Sequence, residues 1–301
     1  MSTLLASLHA QTPAETAEKV YLANINTLLI FTSESGLSSG KYKFTKPGVE
    51  MQTYTLPYRY HFAPFDDKMN FFVGGGVGYS ITRLDTTTED QRSDGPIDLT
   101  HDNKLQTYTA GISIGLRYKS DIGIDYLGSV GAIYSRVGTS VKPDDEIGDI
   151  IEDLFDDEYN DNITYKFLLA AEYKKEIEGF KPYIRADLKW YETKADFTLD
   201  VLSGFRTQSS VASIVIGAET PSVFMYDENS FSFEGYIKAN YLEGDITDVV
   251  KFKRYMNIGV VSYFNTPENP SWAERFYVEL STVRAEGLEG YNIGIGFSFD
   301  Y

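Results

Sequence analysis

Residues Phe180–Thr193 read FKPYIRADLKWYET, and the order of side chains in this stretch decides the fold class. Phe180, Pro182, Ile184, Ala186, Leu188 and Trp190 fall on one face of an extended chain, and Tyr183, Arg185, Asp187, Lys189, Tyr191 and Thr193 on the other. Side chains alternate across a β-strand, so three successive charges back a wholly apolar face. That pattern suits a wall between lipid and a wet, charge-paired interior better than a soluble sandwich. Phe231–Tyr241 repeats it, with Phe231, Phe233, Ile237, Ala239 and Tyr241 outward and Ser232, Glu234, Lys238 and Asn240 inward.

Working outward from these two segments, the alternation predicts strands at 24–33, 49–62, 70–84, 105–119, 122–136, 163–175, 181–197, 206–219, 230–242, 252–264, 274–284 and 290–301. The expectation is an all-β, antiparallel transmembrane β-barrel of about twelve strands over 24–301, preceded by a lead segment over 1–23. Short turns are expected at Ala63–Lys68, Ser120–Asp121, Glu176–Gly179 and the Pro267/Pro270 turn, with long polar outer loops at Ser35–Gly48, Asp85–Lys104 and Gly138–Asn162. Within the lead, Leu4–Leu8 could end a secretory signal, although a basic start is missing, and Gln11–Ala23 could form a short helix or a plug.

Composition agrees with strands. The 301 residues are 15% aromatic, with 23 Tyr and 19 Phe, while the longest apolar stretches are broken well before the roughly 20 residues of a membrane helix. The absence of Cys removes thiol catalysis and thiolate metal sites, and a net charge of -17 argues against nucleic acid as a partner.

The C-terminus, Tyr291–Tyr301, is an aromatic strand in which Asn292, Gly294, Phe297 and Phe299 are spaced as polar, Gly, hydrophobic and aromatic, with Tyr301 two residues beyond. This spacing resembles the signal read by the outer-membrane barrel assembly machinery. Taken with the strand count, it resembles the translocator barrel of autotransporters, in particular solitary barrels without a passenger domain. The resemblance implies residence in the bacterial outer membrane among lipid and lipopolysaccharide, and a translocation, channel or structural role. A porin-like small-solute channel and a surface interaction protein using acidic outer loops are the rival readings.

Candidate chemistry is sparse. Arg117, Asp125, Arg185, Asp187, Lys189, Glu234, Lys238, Arg275 and Glu279 form a mixed-sign inward set that would either line a narrow pore or interlock as a closed core. Tyr21, Tyr79, Tyr118, Tyr126, Tyr134, Trp190, Tyr241 and Tyr301 read as an interfacial girdle. His61 is expected in that belt, and His101 beside Asp102 in an outer loop, neither with a nucleophilic Ser context, so no catalytic residue and no cofactor is expected. The acidic run Asp144–Glu158 offers carboxylates to divalent cations without calcium-loop spacing, and its apolar members could form a short amphipathic helix. Gly74, Gly75, Gly76 and Gly78 lack the Lys of a phosphate loop and read as close interior packing or strand bending.

Overall fold

The computed structural model describes residues 37–298 apart from 46–47, 63–67, 93–94, 141–158, 197–205, 227–228 and 267–274. The lead segment, the predicted strand 24–33, the Pro267/Pro270 turn, the acidic run, Phe299 and Tyr301 lie outside the described residues. Thirteen antiparallel strands make one sheet. They are β1 Leu37–Phe44, β2 Val49–His61, β3 Met69–Arg92, β4 Gly95–Lys119, β5 Ile124–Ser140, β6 Asn160–Lys174, β7 Lys181–Asp196, β8 Arg206–Glu219, β9 Phe224–Tyr226, β10 Asn229–Gly244, β11 Arg254–Asn265, β12 Arg275–Ala285 and β13 Leu288–Ser298.

β1 pairs with β13, and β10 with both β8 and β11, so the sheet closes on itself. The three-residue β9 only flanks β10 past the end of β8, which leaves twelve strands in the wall. Closure satisfies every ladder edge, the condition for crossing a bilayer with strands. Its even count puts the start of β1 and the end of β13 at one end, the terminal end. The other end carries the extended β3–β4 hairpin and the long β5–β6 connection, and by the loop asymmetry of these barrels it faces outward.

Every long strand turns large apolar side chains to the outside. Ile112 and Ile114 on β4, Ile216 on β8, Val260 on β11, Leu280 on β12 and Ile295 on β13 are all exposed, and together such residues form a belt. An apolar surface of that extent is stable only against lipid. Aromatic rows border it: Tyr54, Tyr79 and Tyr108 lie side by side toward the outer end with ring centroids 6.3 and 4.9 Å apart, and Tyr118 stacks on Tyr126 at 6.3 Å toward the terminal end. We expect Ile112→Arg, midway along the wall at 63% exposure, to destabilise the barrel by about 2–4 kcal/mol, measured by denaturant unfolding in lipid.

The structure corrects three expectations. The first described strand is Leu37–Phe44, within the span expected as a long outer loop, and it pairs with β2 as far as Phe44↔Val49. Asp85–Lys104 is not a loop either, because β3 and β4 pair through Arg92↔Gly95. The expected division into short and long connections is therefore only partial: at the outer end β1 and β2 are also joined closely, pairing through Phe44↔Val49, and β12 and β13 through Ala285↔Leu288.

Candidate functional site: a plugged, hydrogen-bonded lumen

The inward faces build three tiers. At the outer end, fifteen buried apolar residues make one cluster, drawn from β1, β2, β4, β5, β7, β8, β10, β11, β12, β13 and the segment joining β10 to β11. That segment folds into the mouth as a helical turn, α1, over Ile246–Val250, and buries Ile246, Val249 and Val250. Phe252 follows and lies parallel to Phe44 of β1 at 6.3 Å. The opposite wall offers the cluster small hydroxyls, among them Thr82, Thr107, Thr164, Thr193 and Thr207, all buried. Apolar side chains from most of the circumference meeting on α1 close the outer mouth with a plug.

The backbone that carries α1 is fixed at both ends. Gly244 has φ +90°, and a Cβ there would fall 2.3 Å from the Gln208 carbonyl oxygen. Asp245 is tied to β8 twice, its N–H donating to the Gln208 carbonyl at 2.9 Å and its Oδ2 accepting from the Gln208 N–H at 2.8 Å. Thr247 Oγ1 donates to the Gly244 carbonyl at 2.9 Å, and Lys251 ends the turn at φ +62° with its N–H on the Thr247 carbonyl. The helical spacing of Ile246, Val249 and Val250 was the signal available in the sequence, but five residues are too few to stand out against long strands.

Below the plug, the middle tier holds a cavity of about 140 Å³ lined on one side by Gly74, Gly76, Gly78, Gly111 and Gly131 and on the other by Lys166, Lys189 and Tyr191. Backbone crowds these glycines: a Cβ on Gly131 would meet the Ile112 carbonyl oxygen at 2.6 Å, and one on Gly76 would meet Pro57 Cα at 2.9 Å. Gly74, Gly76 and Gly78 face inward, whereas Gly75 lies on the outward face beside the Tyr58 ring. Asp187 and Lys189 are buried here, with Arg185 Nε 3.9 Å from Asp187 Oδ2.

The terminal tier is a network of carboxylates with tyrosines and arginines. Glu234 accepts from Tyr183 Oη at 2.6 Å and from Tyr263 Oη at 2.8 Å, joining three strands, and Tyr236 donates to Glu279. Glu219, nearly buried, accepts from Arg275 Nη2 at 2.6 Å and from Ser232 Oγ at 3.0 Å, with Lys174 and Lys181 at 3.6 and 4.0 Å. Arg275 Cζ also lies over the Tyr263 ring, 3.9 Å from its centre. Arg117 pairs with Asp125 at 2.5 Å. A polar cavity of about 440 Å³ remains beside Glu219 and Arg275.

Arg117, Asp125, Arg185, Asp187, Lys189, Glu234, Lys238, Arg275 and Glu279 lie on the inward faces of their strands, with the Lys238 carbonyl on β10 accepting from Asn240. Sequence reasoning missed Glu219 and the partner tyrosines Tyr183, Tyr236 and Tyr263, because each pair joins residues tens of positions apart that only barrel closure brings together. His61 faces inward, against the expectation of the interfacial belt, with its ring 5.4 Å from Phe72, over which Arg59 also lies. His101 and Asp102 fall in the extension of β4 rather than in a loop. In β13, Asn292 and Gly294 point inward, Gly294 opposite Glu279, and Phe297 points to lipid. Among the described residues no group of acidic, His or Cys side chains has the arrangement of a metal site.

A closed twelve-stranded wall, a lipid-facing belt with aromatic borders and a polar lumen define an outer-membrane β-barrel. No family profile matches the chain, and no curated protein matches it by sequence. Among solved structures, the β domain of the Bordetella autotransporter BrkA superposes with a TM-score of 0.57 at 10% identity, over 88% of this chain and 100% of that one. The translocator domain of NalP from Neisseria meningitidis gives 0.55 at 11% identity, over 98% and 100%, and the transport unit of AIDA-I from Escherichia coli gives 0.51 at 10%, over 94% and 97%. The fold is that of the autotransporter translocator barrels.

Proposed function

We propose that this barrel is a gated conduit of the bacterial outer membrane, with the architecture of a translocator and a mouth closed from the outer side by α1. The observation that carries this reading is the contrast between the tiers. A conduit for polar solutes or an extended polar chain needs a hydrophilic wall, which the lower two tiers provide, and a closed state needs a water-excluding constriction, which the plug provides. The plug hangs on one connection between two positive-φ residues, Gly244 and Lys251, so its displacement requires no rearrangement of the wall. The reading is non-enzymatic: His61 packs on Phe72, and the carboxylates of the lumen are engaged by Tyr, Arg and Ser.

Locking the plug tests it. The chain has no cysteine, so Phe44→Cys/Phe252→Cys introduces the only thiols, at side chains now in ring contact. In planar-bilayer recordings we expect brief openings of the unmodified barrel, their loss after a short bis-thiol crosslink, and their return on reduction. A barrel that never opens, or one whose openings survive crosslinking, would contradict gating by the plug.

A further inference from the structure

We infer that the outer wall carries a binding groove for a phosphorylated glycolipid of the outer leaflet, an inference that rests on the outer-membrane placement and not on gating. On the lipid side, a concavity of about 1010 Å³ runs across the outward faces of β4 to β12. One register row leads from Tyr118 through Ala171, Ala186 and Ala239 to Met256 and Arg284. The neighbouring row passes Leu188, Ala212 and Tyr241 and ends at Arg254. Alanines make the floor, and the leucine, methionine and tyrosines make the sides.

The row crosses eight strands, roughly 34 Å at the usual strand spacing, and climbs with the strand tilt from the terminal rim to the outer rim. Acyl chains lying in it would stay within the hydrocarbon layer, which is about 30 Å thick. Its outer end is where the charge lies. Arg254 begins β11, and Arg284, opposite Met256, is its diagonal neighbour across the ladder, at the roughly 7–8 Å of such pairs. Both are exposed, and among the described residues neither makes an ion pair. The acidic groups close to them are Glu289, opposite Arg284 on β13, Glu286, two residues beyond Arg284, and Glu243, one outward position beyond Tyr241; none lines the groove.

Two unpaired guanidinium groups at the headgroup level, above an apolar trough, match a lipid whose anionic phosphates sit directly over several acyl chains. A groove spread over many strands has room for more than two chains, and the two guanidinium groups at its outward-facing end select the outer leaflet, which places a bis-phosphorylated glycolipid there rather than a two-chain phospholipid of the inner leaflet.

The test is native mass spectrometry of the detergent-folded barrel with bis-phosphorylated lipid A and with its dephosphorylated form. The wild type should retain the phosphorylated lipid preferentially, and Arg254→Gln/Arg284→Gln should lose most of it. Lys253→Gln, which removes an exposed rim cation outside the groove, should retain it. Ala239→Phe, which fills the floor and spares both arginines, should expel it. Equal retention of the two lipids by the wild type, undiminished binding in the arginine variant, an equal loss in Lys253→Gln, or a lipid still held by Ala239→Phe would each overturn the inference. Heat-modifiable migration confirms that every variant is a folded barrel, so that loss of lipid is not loss of the wall.

Discussion

Replacing Asp245–Lys251 with a Gly/Ser turn of equal length is expected to convert a barrel that is closed most of the time into one that conducts steadily. The replacement removes Ile246, Val249 and Val250 from the centre of the outer cluster and frees Phe252 from its place beside Phe44. What remains on the wall, including Tyr42, Phe44, Met51, Leu242 and Leu288, loses the α1 side chains packed among it. The wall itself keeps its ladders, since β10 pairs with β11 through Tyr241↔Arg254 whatever the connection contains. A smaller change should act in the same direction: Ile246→Asp places an unpaired carboxylate in a fully buried apolar position, and the plug avoids that cost by moving out into water. Single-channel recording checks both variants, with continuous current expected for the turn replacement and an increased open fraction for Ile246→Asp. Silence in a folded turn variant would place the closure elsewhere.

A large loss of stability is expected from Arg275→Ala. Glu219 on β8 and Arg275 on β12 reach each other from strands that are not neighbours in the wall, and their side chains are 4% and 12% exposed. Removing the arginine leaves a nearly buried carboxylate with the Ser232 hydroxyl and two lysines at 3.6 and 4.0 Å. Breaking a buried pair from one side costs about 3–5 kcal/mol, and the residual lysines place this case toward the lower figure. Glu219→Met/Arg275→Met removes both charges and should recover most of that loss, because the desolvation cost disappears with the attraction. Guanidinium unfolding of the two variants in detergent, followed by tryptophan fluorescence, measures the difference. Equal destabilisation of single and double variants would show that packing, including the contact of Arg275 with the Tyr263 ring, matters more than charge.

How much of this was legible depended on where each strand meets the membrane. β7 and β10 cross the belt, and there the sequence order of apolar and charged residues translated directly into faces: Ile184, Leu188, Phe233 and Ile237 are exposed to lipid, and Asp187, Lys189 and Asn240 are buried inside. β1 was missed because its polarity is inverted. At the outer rim its outward side chains, Ser39 and Lys43, are exposed, while Tyr42 and Phe44 point inward against the plug, so the expected lipid signature is absent. The extension of β3 and β4 was missed for a related reason, since polar residues on both faces read as a loop. The nine lumen charges were identified individually, but whether they line a pore or interlock depended on tyrosines and a glutamate supplied from distant strands. The closure of the mouth was not legible at all, because it requires knowing that side chains from ten strands and α1 converge on one point.

The most direct test of a plugged outer-membrane barrel uses single cysteines at three positions of the cysteine-free chain: Ile237, Lys238 and Val250. In brominated-lipid vesicles, a fluorophore at residue 237 should be quenched by the lipid, a thiol at residue 238 should react only with a small water-soluble reagent, and a thiol at residue 250 should respond to neither while the plug is seated. Quenching at both 237 and 238, or free reaction at 250 from the outer side, would contradict the account.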